Sequence, residues 1–443
     1  VSGNAGSATV LQTARTINGV SFDGSANITV TAAGSTLSDT VTVAKGGTGL
    51  TALGTALQVL RVNAGATALE YATAGGAISG TGAVDNAVLR ADGTGGATLQ
   101  NSAFVIADNA TASPNNTVNH ASIQATGGTT NVSVSIVPKG TGAFCLQVPD
   151  GTATGGNARG ANAVDLQTKR SSAAQVASGA DSFAATANST ASGTGSVAFG
   201  GTASGNYSFV ASGIGATATG AYSVTLASTN GGASGSLSMA VCGDFLTVSG
   251  QYAFGQGLIP GIGGATVAAT GSVGLAGGGT VANADHSVSI GQMASTTRWC
   301  QLSHAGGRFA AMGDAQSVHF VLLVKTTNAT PATMFLNTGG TLRLTIPSGK
   351  LMFADILISG IKSDGSAAAC YKRKVGIKNV AGTTALVGTV ETIGTDIEDN
   401  ASTDVAITAD DTNDALQINV TGIASETWRW VAEVQGVEVA YGT

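Results

Sequence analysis

The sequence predicts an elongated, all-β fold assembled by stacking short coils, and three observations carry that prediction. The first is a repeat in the middle third: a small apolar residue, then Ser or Thr, then Gly, and soon after it Ser and an alternating apolar run. Units begin at Ala177, Ala191, Ala203, Ala218, Ala233 and Val248, with weaker copies at Ala269 and Val281, so successive starts are 14, 12, 15, 15, 15, 21 and 12 residues apart. A period this short has no room for a helical hairpin but matches one coil of a parallel β-solenoid, two short strands and two tight turns. The second is Gly, 65 of 443 residues, about twice the usual ~7%. The third is charge: 10% of residues against ~25% in an ordinary soluble domain. An apolar fraction of 43%, mostly Ala and Val among Thr and Ser, is too high for disorder and suits narrow β-interiors. A coil this small cannot bury its apolar face alone, so association between chains is expected as well.

The elements follow in order. Residues 1–76 read as β-hairpin modules. Asn18-Gly19 between Thr16-Ile17 and Val20-Ser21-Phe22 is a two-residue turn signal. Thr40–Val43 alternates and stops at Gly46-Gly47-Thr48-Gly49. Gln58–Val62 and Ala68–Ala72 read as paired strands, although Leu50, Leu53, Leu57 and Leu60 also fit a short helix. Residues 77–150 continue as small β-modules, with strands expected at Ala87–Arg90, Phe104–Ile106 and Val132–Val137. Residues 151–176 are a connector, helix-compatible around Ala163–Gln175. Residues 177–294 are the solenoid, and 295–316 a second connector holding Trp299. Residues 317–443 carry 9 Lys/Arg and 13 Asp/Glu, whereas the equally long window 171–297 carries only Asp181, Asp244 and Asp285. That shift marks a domain. Strands at Val318–Val324, Thr341–Ile346, Leu351–Ile358, Lys374–Lys378 and Trp428–Val434, with turn signals between them, predict a C-terminal β-sandwich.

Composition also excludes classes of function. A net charge of −6 leaves no basic stripe for nucleic acid. No apolar run approaches the ~18 residues of a membrane helix. No leader is visible and Val1 is not an initiator Met, so a processed or partial product is expected. Cys145, Cys242, Cys300 and Cys370 are far apart without a CxxC; they are expected as buried free thiols rather than zinc ligands or disulfides.

Two resemblances narrow the reading. Ser196-Val197-Ala198-Phe199-Gly200 followed by Ala203-Ser204-Gly205, and Ser287-Val288-Ser289-Ile290-Gly291, resemble the head repeat of trimeric autotransporter adhesins over about 120 residues. That family implies a left-handed parallel β-roll with three rolls side by side. The flanks resemble bacteriophage tail fibres: Leu11–Gly24, Ala44–Gly49 and Gly155–Asp165 are similar to segments common in those proteins. Phage fibres often use the adhesin roll as a shaft. A long heptad stalk and a C-terminal set of amphipathic barrel strands, which an adhesin would add, are not seen in this sequence. The resemblance implies a homotrimer whose N-terminal modules and roll form the shaft and whose C-terminal sandwich forms the tip. Its partners would be two further copies of the chain, other phage tail proteins at the N-terminal end, and a host-surface glycan or protein, with no nucleic acid.

The candidate site residues lie mainly in the C-terminal domain. Asp396, Glu398, Asp399, Asp404, Asp410, Asp411 and Asp414 fall within 19 residues. Clustered carboxylates suit a calcium ion, but no EF-hand spacing is present; the reading adopted is a solvated acidic loop facing Lys372-Arg373-Lys374, with no cofactor and no metal. Loops on a β-scaffold collect binding residues, so Lys362, Asp364 and these seven carboxylates are the expected receptor contacts. Tyr207, Tyr222 and Tyr252 share one register position, two after the repeat Gly; Asp181, Gly195 and Leu237 fill it in other copies. This aromatic stripe suits sugar, and equally packing between coils or chains. Trp428 and Trp430, two apart on a strand, are expected in the sandwich core. Glycoside hydrolysis needs two carboxylates about 5–9.5 Å apart. Asp181, Asp244 and Asp285 would lie several coils from one another, and no Glu occurs between Glu70 and Glu391. The expected function is therefore host attachment by a tail fibre, without catalysis. The alternatives are a tailspike depolymerase cleaving surface polysaccharide, and a bacterial trimeric adhesin.

Overall fold

The computed structural model describes residues 10–73 apart from 12, 18, 30–40, 42–46 and 57. It also describes the backbone of strands at 87–92, 98–109 and 120–125, and residues 131–442 apart from 132, 212–214, 227–228, 242, 258–263 and 276–277. Two compact units divide the chain, Val1–Ile136 and Val137–Thr443.

In the first unit, Arg15–Ile17 pairs antiparallel with Val20–Phe22 and closes at Ile17↔Val20. Gln58–Val62 pairs antiparallel with Leu69–Thr73, so the helical spacing of the leucines yields to a hairpin. Ala87–Asp92, Thr98–Asn109 and His120–Ala125 form a three-stranded antiparallel sheet. Thr40–Val43 falls largely outside the described residues. Residues 133–137, expected in a strand, carry none.

The second unit begins as a parallel solenoid. Its inner rungs pair in the order Ala177, Ala191, Ala203, Ala218, Ala233, Val248, Val267, Ala282 and Thr296. Ser or Thr then Gly follows in most rungs, and the reason is spatial. A Cβ on Gly205 would lie 2.0 Å from the carbonyl oxygen of Gly220, and the same clash of 2.0–2.1 Å recurs at Gly160, Gly179, Gly193, Gly220, Gly235 and Gly250. Adjacent coils stack backbone on backbone at this corner, so no side chain fits. Two residues later the chain turns through the left-handed region, at Asp181, Gly195, Tyr207, Tyr222, Leu237, Tyr252, Gly271, His286 and Cys300. The next Ser is buried and locks the turn: the Ser196 hydroxyl donates to the Gly193 carbonyl at 2.7 Å, and Ser182, Ser223 and Ser238 repeat the contact at 2.6–2.7 Å.

A second parallel sheet closes each coil, from Phe183–Ala185 through Val197–Phe199, Phe209–Ala211, Val224–Leu226, Met239–Val241, Phe254–Gln256 and Val273–Leu275 to Val288–Gln292. The interior is one side chain wide, and its two sides compensate. Where Val248 and Val267 replace Ala on the rungs, Gly255 and Gly274 face them, and a Cβ on either glycine would come within 2.6 Å of a valine methyl.

Pairing corrects the repeat register. Val248↔Val267 and Val267↔Ala282 place the seventh and eighth units at Val267 and Ala282, not Ala269 and Val281. Thr270-Gly271-Ser272 imitates the motif, but Gly271 occupies the left-handed position and Ala269 the stacking one. Parallel pairing also runs through residues read as connectors: Phe144–Cys145 pairs with Val164–Asp165, and Val164–Asp165 with Phe183–Ala184. Around Ala163–Gln175 there is no helix.

At the far end Leu302–Gly306 pairs parallel with Val288–Gln292 on one edge and antiparallel with Ala315–Thr326 on the other. The solenoid sheet thus continues into a large antiparallel sheet, ordered Ala315–Thr326, Trp428–Ala440, Lys350–Lys362, Ala368–Val380. Short strands Thr383–Leu386, Glu391–Thr392 and Ile397–Glu398 line its outer edge. A smaller sheet built on Ala415–Thr421 pairs with Ala332–Thr333, Leu344–Thr345 and Asp404–Asp410. Both sheets contribute to one core holding Phe320, Met334, Ile356, Ile418, Trp428 and Trp430. The strand expected over Thr341–Ile346 reduces to Leu344–Thr345, while Trp428–Val434 extends to Ala440. The described cysteines differ from expectation, and Cys242 lies outside the described residues. Cys300 and Cys370 are exposed and Cys145 half-buried, all three with free thiols; Cys300 takes the left-handed corner position and Cys370 an outward strand position, so neither faces a core.

Candidate functional site

The long strands have two lateral ends, and the proposed contact residues divide between them. At the end carrying Lys362, the Lys362 ammonium contacts Glu426 at 3.0 Å and Asp364 at 3.4 Å. Its hydrogen bond with Glu426 above all raises its pKa. The Ser366 hydroxyl and amide donate to Asp364 and hold its carboxyl below the usual range. Arg373 grips Asp396 with two nitrogens at 2.6 and 2.8 Å, and that fork lowers the Asp396 pKa. Glu398 accepts from the Tyr371 phenol at 2.8 Å and the Thr403 hydroxyl at 3.2 Å; burial pushes the Tyr371 phenol far above its ordinary value. Asp399 accepts the Ala368 amide at 2.8 Å, and Asp404 the Val405 amide at 2.8 Å.

Asp410, Asp411 and Asp414 sit at the other end. Asp410 lies 3.2 Å from Arg343 and accepts from Asn413, whose side-chain amide above all lowers the Asp410 pKa. Asp411 and Asp414 accept the Thr384 amide and hydroxyl at 2.5 and 2.7 Å. The strand Asp404–Asp410 separates the two groups by about 20 Å at ~3.4 Å per residue. The carboxylates crowded in sequence are therefore tied one by one to cations, amides and hydroxyls. Among the described residues no three His, Cys, Asp or Glu side chains converge as a metal would need.

The tyrosines form the stripe in space. Tyr207, Tyr222 and Tyr252 are 56–59% exposed, with Leu237 between the last two at 48%. The Tyr207 and Tyr222 rings are parallel within 12°, centroids 5.2 Å apart. All four residues hold φ of 56–57°, a conformation that costs a bulky side chain of order 1 kcal/mol or more.

Two charged networks escaped the sequence reading. At the first coils, Asp165 is fully buried between Arg159 at 2.8 Å and Arg170 at 3.0 Å, and Gln167 ties it on to the Ser189 carbonyl. At the last coil, buried Glu438 meets Arg298, Lys350 at 3.4 Å and Gln316 at 3.1 Å. Burial alone would raise the Glu438 pKa, but Arg298 and Lys350 outweigh it and hold the carboxyl below its ordinary value. Arg298 follows Thr296-Thr297 and so occupies the stacking position that Gly holds in earlier coils; no further coil covers it. The available signal was charge in a segment otherwise without it.

Among the described residues, grooves open on the surface at several places. One of about 890 Å³ runs along the solenoid corner past Thr186, Asn188, Gly201 and Thr229. One of about 330 Å³ lies at the solenoid junction between His304, His319 and Glu433. One of about 600 Å³ lies on the large sheet between Phe335, Lys325 and Arg429.

No family model matches the chain, and no curated protein does. Among solved structures it is similar to the tailspike protein of Acinetobacter baumannii phage AM24, at 8% identity and a TM-score of 0.18. The match covers 67% of this chain and 52% of that one, so this chain spans about half the length of the tailspike. A likeness at this level carries no functional argument.

Proposed function

We propose that this chain is a phage tail protein that attaches the virion to its host by binding, as a homotrimer whose solenoid is the shaft and whose C-terminal domain makes the contact. One observation carries the reading. On the outer face of the solenoid sheet, Phe183, Val197, Phe209, Val224, Met239, Phe254, Val273, Val288 and Leu302 stand in register, coil after coil, without a polar residue among them. Each is only partly covered by its own chain, Leu302 remaining 36% exposed. A contiguous apolar row this long marks a surface that another molecule covers. A partner rising by the same ~4.8 Å per strand fits it along its whole length, and further copies of this chain do so.

The tail-fibre-like segments at Leu11–Gly24, Ala44–Gly49 and Gly155–Asp165 support a virion component. A second reading, a tailspike that cleaves polysaccharide, draws on the solenoid-corner groove, whose volume of about 890 Å³ lies in the range of ligand sites. The described residues lining it carry hydroxyls and amides but no carboxylate, which favours binding. The test applies the full chain to a panel of bacterial cells and to their purified surface polysaccharides. Specific cell binding by a species near three times 43.0 kDa, without release of reducing ends, is expected. A monomer, or a chain that binds no cell in the panel, counts against attachment; release of reducing ends installs the depolymerase.

A further inference from the structure

We propose that the groove between Phe335, Lys325 and Arg429 is a binding site for an acidic saccharide. The argument begins with a cross-strand pair. Lys325 and Arg429 stand directly opposite each other on adjacent antiparallel strands, where like charges destabilise a sheet. Both point to the exposed face. Among the described residues neither has a carboxylate partner; Lys362, at the same end, is neutralised by Glu426 and Asp364. Two adjacent cations with nothing to compensate them form a fork for an anion.

The surrounding face has the same sign. Outward positions of the large sheet carry Lys325, Lys372, Lys374, Lys378 and Arg429 against Asp355, Glu433 and the edge-strand Glu391. Five cations and three carboxylates leave it at +2, in a chain whose net charge is −6. Copies packed through this end would bring like charge against like charge, whereas an anionic ligand meets the complementary field.

The groove selects a saccharide over a bare ion. It encloses about 600 Å³, in the range of ligand sites. Leu323 and Val431 are opposite neighbours on its floor, and the Phe335 ring, flanked by the Arg343 guanidinium at 5.3 Å, stands beside them. The turn Asn337–Gly340 supplies a polar wall, held by the Asn337 side chain, which donates to the Thr341 hydroxyl at 3.0 Å and accepts the Thr341 and Leu342 amides at 3.1 and 3.0 Å. A sugar ring offers C–H faces to such a floor and hydroxyls to such a wall, and an acidic substituent reaches the cations.

The inference rests on the attachment reading for its biological meaning and not for its chemistry. The test titrates the full chain calorimetrically with tetragalacturonic acid and with maltotetraose, at low and at physiological salt. Tetragalacturonate should bind, and more weakly at higher salt. The double variant Lys325→Gln/Arg429→Gln should lose about tenfold or more in affinity, as when charge-assisted contacts are removed. Lys378→Gln, a cation outside the groove, should lose nothing. Absence of binding, equal binding of maltotetraose, or an equal loss in Lys378→Gln overturns the site. So does a double variant that alters sedimentation while leaving ligand affinity intact, since that assigns the face to a second copy. A chain that binds tetragalacturonate yet adheres to no bacterial cell removes the attachment reading alone.

Discussion

The Arg298 guanidinium donates to the Glu438 carboxylate, a partner 140 residues further along the chain. Arg298 belongs to the last coil and Glu438 to the last long strand, so the bond ties the solenoid to the C-terminal domain through two buried side chains. Glu438→Gln should destabilise this unit by about 3–5 kcal/mol, because it strands Arg298 and Lys350 without a counter-charge. Thermal unfolding at neutral pH checks this. The Glu438 carboxyl is held below its ordinary value, so its stabilisation is present above the unfolded pKa of about 4.3. It disappears as pH falls through the lower folded value. Wild type should therefore lose stability below about pH 4, and the gap to Glu438→Gln should narrow there. A gap constant down to pH 2 on such a titration would count against the pair.

Position decides what a methyl group costs in the stack. Gly205→Ala drives a Cβ into a backbone carbonyl that cannot step aside, so a loss at or above the ~3 kcal/mol end of overpacking is expected. Ala269→Gly, at the same position two coils after Gly235, should cost no more than about 1 kcal/mol. Equal effects in denaturant titrations would refute backbone stacking as the origin of the repeat glycine.

At Tyr222 two terms oppose each other. Tyr222→Gly forfeits stacking on Tyr207, worth about 0.5–1.5 kcal/mol, and relieves left-handed strain of similar size. The melting temperature should hardly move. A loss above about 2 kcal/mol would mean that the tyrosines bind their neighbours far more strongly than exposed rings do.

Asp165→Asn leaves Arg159 and Arg170 facing each other within the first coils. A loss of about 3–5 kcal/mol is expected, and limited proteolysis should open the chain first near residues 151–176. Cleavage starting instead within the later coils would show that the first coils hold without this carboxylate.

Much of this architecture was legible in the sequence because the repeat is a steric necessity. Where backbone lies on backbone only Gly fits, so stacking writes its own period. The reading slipped where that pressure lapsed. Ala269 and Ala284 hold the stacking position in later coils, and the nearby Gly271 shifted the apparent register. The last coil, Thr296-Thr297-Arg298, carries no Gly because no coil covers it. The connector reading of residues 151–176 arose from the long excursion after Asp165, which breaks the period while Arg170 returns to the carboxylate that Arg159 already holds from the other side in sequence. Among candidate residues, the acidic crowding was plain but its division was not: a strand of seven residues, Asp404–Asp410, carries neighbours in sequence to opposite sides of a sheet. The groove at Phe335 left no local trace, since Lys325 and Arg429 meet only through pairing of distant strands.

One strand, Leu302–Gly306, is hydrogen-bonded into the solenoid on one edge and into the C-terminal sheet on the other. That seam leaves no room for a swivel. A tilt or torque on the C-terminal domain passes straight into the coils, and the two behave as one lever rather than as a weight on a string. Whatever that domain touches is met at a fixed angle, and the push returns along the stack to whatever holds its other end.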